Sequence, residues 1–268
     1  MTTLVTALAG AVAVAAGGQA DPAHVEPCDG RGDGAYRIVE LRNESATLVL
    51  FGARHRTAPD DPILSEIERR VAALVPTVIL VEGPAAAAEP DRATAIARGG
   101  EMGLLCWLAN RRGVPCESSD LTEAEEVRRL LRRHPADEVL LFLSVRVLAY
   151  FNPRPPSQRP PGDLVEWTMR RYAPLVGLPV ETAGQRVARA CERSLGRPWE
   201  PSRVTTDWHD PTKDELLTQR LSRESNDLRE PYMIDRLLEA ARPGARAFAA
   251  LGEGHVCNVG AALRARWK

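Results

Sequence analysis

Two apolar runs near opposite ends of this chain lead into the same four-residue pattern. ATLVLF (46–51) is followed by GARH (52–55), and RAFAAL (246–251) by GEGH (252–255). Each run is short and strand-like, and each pattern opens with glycine and closes with histidine. Glycine at a strand exit permits a sharp turn or a close approach of backbone. A histidine three residues later then points into the space beyond the strand. A third run, TVILVEG (77–83), is a compact β-branched segment suited to a buried strand, and it ends on Glu82. In an open parallel sheet, ligands gather beyond the carboxyl ends of the strands. The spacing therefore predicts one cleft that collects His55, Glu82 and His255.

The rest of the chain supports that sheet. YRIVELR (36–42) and ATLVLFG (46–52) read as a hairpin across the short turn NES. DPILSEIERRVAALV (61–75) has helical apolar spacing, with Asp60 or Asp61 available as a cap and Pro62 in the first turn. A helix over 100–113, a short strand over 114–120, and helices over 121–134 and 135–151 follow. NPRPPSQRPPG (152–162) carries five prolines and reads as a stiff loop over a site. Helices are expected at 163–177 and 182–196. A long helical stretch at 213–241 should be interrupted near Pro231. A last strand (245–252) and a closing helix complete the pattern. Strands alternating with helices predict an α/β fold: a mainly parallel central sheet flanked by helices, with both GxxH strand–turn–helix units facing one cleft. One domain over 21–268 accommodates it.

The formal net charge is −1, so no broad basic field is available to attract nucleic acid. Residues 1–20 carry no charged side chain. Their apolar stretch is too short to span a bilayer and ends in small residues, the pattern of a secretory leader cleaved after Ala20, though without a basic n-region. That predicts a periplasmic or extracellular protein, with no transmembrane helix in the mature chain. Five cysteines cannot all pair within one chain, and their spacings match no zinc knuckle. Cys106 and Cys257 sit among apolar or small residues, which favours buried, inert thiols; an exported chain can also hold one or two disulfides, whose pairing the sequence does not choose.

Two imidazoles and a carboxylate can do two kinds of work. They can hold a divalent transition metal with open positions. They can also act without metal, the carboxylate orienting an imidazole that serves as general base. The ordered set of short blocks resembles the TraB/PrgY/Tiki family, within the wider group of erythromycin esterases and ChaN-like proteins. The blocks are LVLFGARH, VILVEGP, GEMG with GVPCESSD, LREPYMIDRL and ALGEGHVCNVGAAL, spread over about 46–264. The resemblance implies a hydrolase of peptide or small-molecule substrates, foremost a metal-dependent peptidase using Mn, Co or Zn. It implies His55, Glu82 and His255 as metal ligands or catalytic residues. Arg229 would bind substrate charge or stabilise an oxyanion, and Glu101 would be a further carboxylate serving as ligand support or acid/base. A metal-free esterase and a non-enzymatic haem- or ligand-binding protein are the other activities within that group.

Other candidates have plainer readings. Arg229 and Glu230 can be an ordinary helix pair, and Pro231 can displace Arg229. Glu253 is a ligand or a turn residue. His209, between Asp207 and Asp210, reads as an exposed loop histidine, and His24 and His134 as surface residues. Trp107, Trp167 and Trp199 read as core or lid packing.

Overall fold

The structure, a computed structural model, describes residues 36–55, 58–154, 159 and 162–267. The expected leader, His24 and most of the proline-rich segment lie outside the described residues. β1 (Ile38–Arg42) and β2 (Thr47–Ala53) form an antiparallel hairpin. Its turn is set by Asn43, whose Oδ1 accepts the backbone N–H of Ser45 at 3.0 Å and of Ala46 at 2.8 Å. α1 (Pro62–Leu74) follows, capped by Asp61 and burying Ile63, Leu64, Ile67 and Val71 on one stripe. Then come β3 (Val78–Val81), α2 (Arg92–Arg112) and β4 (Cys116–Ser118). The helices α3 (Glu123–Leu130), α4 (Ala136–Phe151), α5 (Leu164–Tyr172), α6 (Val180–Leu195) and α7 (Leu217–Ala240) build a helical half. β5 (Arg246–Gly252) returns to the sheet, and α8 (Glu253–Arg266) closes the described chain.

The five strands run in the order β1-β2-β5-β3-β4, and every pairing except β1 with β2 is parallel. This is the α/β fold expected from the alternation of elements. The last strand sits in the middle. β5 lies between β2 and β3, with Ala53 opposite Gly252 and Val81 opposite Ala250. One sheet face packs on α1 and α2 around Phe51, Ile67, Leu104 and Phe248. The other packs on α8 and the second half of α7 around Leu50, Met233, Leu237 and Val259. The helical half has its own core, including Phe142, Met169, Val187 and Leu221.

Three expectations are corrected. α7 runs unbroken through Pro231. The missing proline N–H costs the helix one hydrogen bond. Burial at both ends offsets it: Leu221 is held in the helical core, and Met233, Ile234 and Leu237 against the sheet. α2 begins at Arg92, well before residue 100, because it is two helical segments joined at Gly100 (φ 57, ψ −137). That conformation is open to glycine, so the Gly-Gly pair bends the helix where the sequence reads as a start. Cys106 is no free thiol: it is bonded to Cys116, with Cα atoms 5.2 Å apart, tying α2 to β4. Cys257 is disulfide-bonded too. Cys191 is a buried free thiol, and burial pushes its pKa up.

The bend in α2 brings its two segments into contact. A Cβ on Gly103 would lie 2.2 Å from the Ala95 carbonyl oxygen, and backbone cannot yield as a side chain does. Gly103→Ala is therefore expected to cost about 1–3 kcal/mol, measured as a lowered urea midpoint with far-UV dichroism retained. An unchanged midpoint would place the bend elsewhere.

Candidate functional site

The strand order assembles the site. β2, β5 and β3 are adjacent, and their carboxyl ends lead to His55, His255 and Glu82. All three line one pocket of about 570 Å³, with Arg54, Gly252, Glu253 and Gly254 around them. The glycine of the second GxxH is a close-approach residue. A Cβ on Gly252 would lie 2.9 Å from Glu82 Oε2 and 3.3 Å from His55 Nε2. Its own N–H donates to Glu82 Oε2 in a short hydrogen bond.

Glu82 is the electrostatic centre. Arg229 Nη2 donates to its Oε1 at 2.7 Å, and His255 Nε2 stands 3.7 Å from the same oxygen. Burial pushes the carboxyl pKa up. Arg229, His255, His55 and the Gly252 N–H outweigh it and bring it from its ordinary 4.5 down to about 2. Glu82 is thus ionised at neutral pH. Arg229 is held in turn by Asp120: its Nε donates to Oδ1 at 3.0 Å and to Oδ2 at 3.1 Å, and its Nη2 makes a short bond to Oδ2. Burial opposes the charge on Arg229, but Glu82, Asp120 and Glu126 raise its pKa well above the ordinary value. With Nε and Nη2 committed to these carboxylates, Arg229 acts as a clamp on Glu82.

His255 is oriented by a residue that the sequence presented only as half of a helix pair. Glu230 Oε1 lies 3.0 Å from His255 Nδ1, and the Asn258 amide donates to the same oxygen at 3.3 Å. When Glu230 accepts from Nδ1–H, the neutral ring keeps its lone pair on Nε2, at the pocket wall. Arg229 and Glu230 are consecutive on α7 yet serve different partners, Glu82 and His255. Their side chains are only 13% and 12% exposed, so this is no solvent-facing pair.

Glu101 sits beside the site, not among the residues lining the pocket. It is 1% exposed, and its Oε1 accepts the Arg54 N–H at 2.9 Å, bracing the turn before His55. Its Oε2 has no hydrogen-bond partner among the described residues. Glu253 is at the pocket as a counter-ion, with Arg54 Nε at 3.1 Å and Arg37 Nε at 3.4 Å. His209 is half-buried in a short 3₁₀ turn (Thr206–His209), and burial with the nearby Arg146 charge lowers its pKa. His134 is paired with Glu224 at 2.7 Å rather than simply exposed. Neither is among the residues that line the pocket. Trp167 and Trp199 pack on the helical core and Trp107 on the core beneath α2, as expected.

Sequence reasoning missed Asp120 and the orienting role of Glu230. Asp120 closes the GVPCESSD block and lies just past β4 as Glu82 lies just past β3, so an acidic residue after a strand end was a signal available in the sequence. For Glu230 the signal was its place beside Arg229.

The residues do not form a ready three-ligand metal centre. Glu82 Oε1 already faces a guanidinium and Oε2 a backbone N–H. Among the described residues no group of three His, Cys, Asp or Glu side chains is arranged to hold a metal ion. What the arrangement does offer is an oriented imidazole, an ionised carboxylate beside it, and the start of α8. The first turn of that helix, at Glu253 to His255, has no side-chain cap and borders the pocket. No protein-family model matches the chain, and no curated protein or solved structure matches it either. No helix among the described residues is long and apolar enough to cross a membrane.

The lowered pKa of Glu82 has a sign that can be measured. Its contribution to stability is fully present above pH 4.5 and is lost as pH falls through about 2. The amount is on the order of 3 kcal/mol. Wild type should unfold at higher urea than Glu82→Gln at pH 6, with the gap closing toward pH 2.5. A gap independent of pH would mean that Glu82 is not the ionised centre.

Proposed function

We propose that this chain is a hydrolase of ester substrates that works at the GxxH cleft without a metal, the activity suggested by the erythromycin esterases of the wider group its blocks resemble rather than the metal-dependent peptidase. The observation that carries this reading is the His255–Glu230 contact, 3.0 Å at Nδ1, with Nε2 on the other side of the ring 3.7 Å from Glu82 Oε1, His255 and Glu82 both lining the pocket. A carboxylate on one ring nitrogen and a free lone pair on the other is the arrangement of an oriented general base.

A water molecule hydrogen-bonded to ionised Glu82 is in reach of His255 Nε2. His255 takes a proton as the water oxygen bonds to the ester carbonyl carbon. Glu230 stabilises the imidazolium that forms. Negative charge then builds on the carbonyl oxygen, which is met by N–H groups in the first turn of α8 and by the His55 imidazole. His255 returns the proton to the leaving alkoxide as the carbon–oxygen bond breaks. The products are a carboxylic acid and an alcohol. Arg229 stays outside this exchange, holding Glu82 in place.

Export is part of the proposal. The Cys106–Cys116 bond and the oxidised state of Cys257 support it, since disulfides persist in oxidising compartments.

His255→Ala should lower kcat on short-chain p-nitrophenyl esters by about 10²–10⁴. Glu230→Gln should lower kcat as well, because its amide can donate to Nδ1 and misplace the ring proton. Full activity in both variants would sink the dyad. Activity should also survive exhaustive treatment with a chelator. Loss that Mn²⁺, Co²⁺ or Zn²⁺ restores would instead favour the metal-dependent peptidase of the resemblance, with His55, Glu82 and His255 as ligands.

A further inference from the structure

His55 has a positive φ of 56°, a backbone conformation that residues other than glycine seldom keep without support. Support arrives on both sides of it. Before it, the Arg54 N–H is held by buried Glu101. After it, the His55 carbonyl oxygen accepts from Arg154 Nη2 at 2.7 Å. Arg154 comes from the helical half, just beyond the end of α4. Its guanidinium lies 3.9 Å over the ring of Tyr150, and that ring meets the His55 imidazole edge-on at 5.9 Å between centroids. One cation therefore grips the backbone of His55 and stacks on the aromatic wall beside its side chain.

The grip is itself anchored. Arg159 Nε donates to the Arg154 carbonyl at 2.7 Å, and its Nη2 to the Asn152 carbonyl at 2.8 Å. The Asn152 amide donates to the carbonyls of Pro201 at 2.8 Å and Val204 at 3.0 Å. Val204 belongs to the core of the helical half. An unbroken set of hydrogen bonds thus runs from that core to the His55 carbonyl.

We propose that Arg154, stacked on Tyr150, is a positioning residue that holds the His55 turn in its left-handed conformation and so aims the imidazole into the pocket. The helical half then does more than cover the sheet: its docking completes the first GxxH turn. Only the kinetic consequence rests on the hydrolase reading. Arginine is suited to this place because its planar guanidinium can stack and donate at once, which lysine cannot.

The test uses the full chain labelled at histidine, with the His55 ring signal assigned by its absence in His55→Gln. In Arg154→Ala that signal should move and broaden while the His255 signal stays. Arg154→Lys should displace it less, and serves as the deciding variant if Arg154→Ala does not fold. With ester substrate, kcat should fall about 10-fold and KM stay within about twofold. An unmoved His55 signal in a folded variant overturns the clamp, whatever the turnover. A moved signal in a protein whose wild type turns over no ester upholds the clamp and removes the hydrolase reading instead.

Discussion

A guanidinium buried at the junction of sheet and helices has to be paired, and Arg229 is paired twice over. Its side chain is 13% exposed, Asp120 5% and Glu82 14%. Withdrawing such charges from water is costly, and the cost is recovered only with close, well-directed partners. The pairing therefore specifies more than it stabilises. It joins the end of β3, the residues after β4 and the middle of α7, three segments far apart in sequence. The Gly252 N–H on Glu82 adds the end of β5 to the same cluster. Any shift of α7 along the sheet would leave a buried charge without its counter-ion.

The geometry of the pocket follows from that register. With Arg229 locked to Glu82 and Asp120, its neighbour Glu230 is turned to His255. The same helix thus pairs the carboxylate and orients the imidazole. α7 is about 36 Å long at 1.5 Å per residue. Its first part lies in the helical core and its last part on the sheet. The site stands where these two cores meet, with residues from the sheet side (His55, Glu82, His255) braced from the helical side (Glu230, Arg154). Small mutual displacements of the two cores would be felt first at the pocket.

Much of the fold was legible because it rests on local patterns. Asp61 with Pro62 marks the start of α1, the Asn43 turn marks the hairpin, and the β-branched run of β3 marks a strand buried on both faces. What misled were residues whose local preference is overridden by packing. Pro231 reads as a break, yet the apolar residues on either side of it are buried in different cores. Gly100 reads as a helix start because a bend and a boundary call for the same glycine. The pairing of Cys106 with Cys116 was not legible because it depends on Cα separation in space, which the ten-residue interval between them does not reveal.

For the site, the sequence by itself determined the strand-end residues. Glycine followed by histidine after an apolar run, and an acidic residue after another, place His55, His255 and Glu82 at the carboxyl ends of strands whatever the strand order. Only the tertiary structure decided that these strands are neighbours, because the last strand inserts between β2 and β3. It alone decided that Glu230 faces His255, that Asp120 completes the Arg229 pairing, and that Arg154 reaches His55. The physical reason is range. Turn chemistry and strand burial act over a few residues and are written locally, whereas buried charge pairing is settled by whichever groups the packed cores bring within about 3 Å.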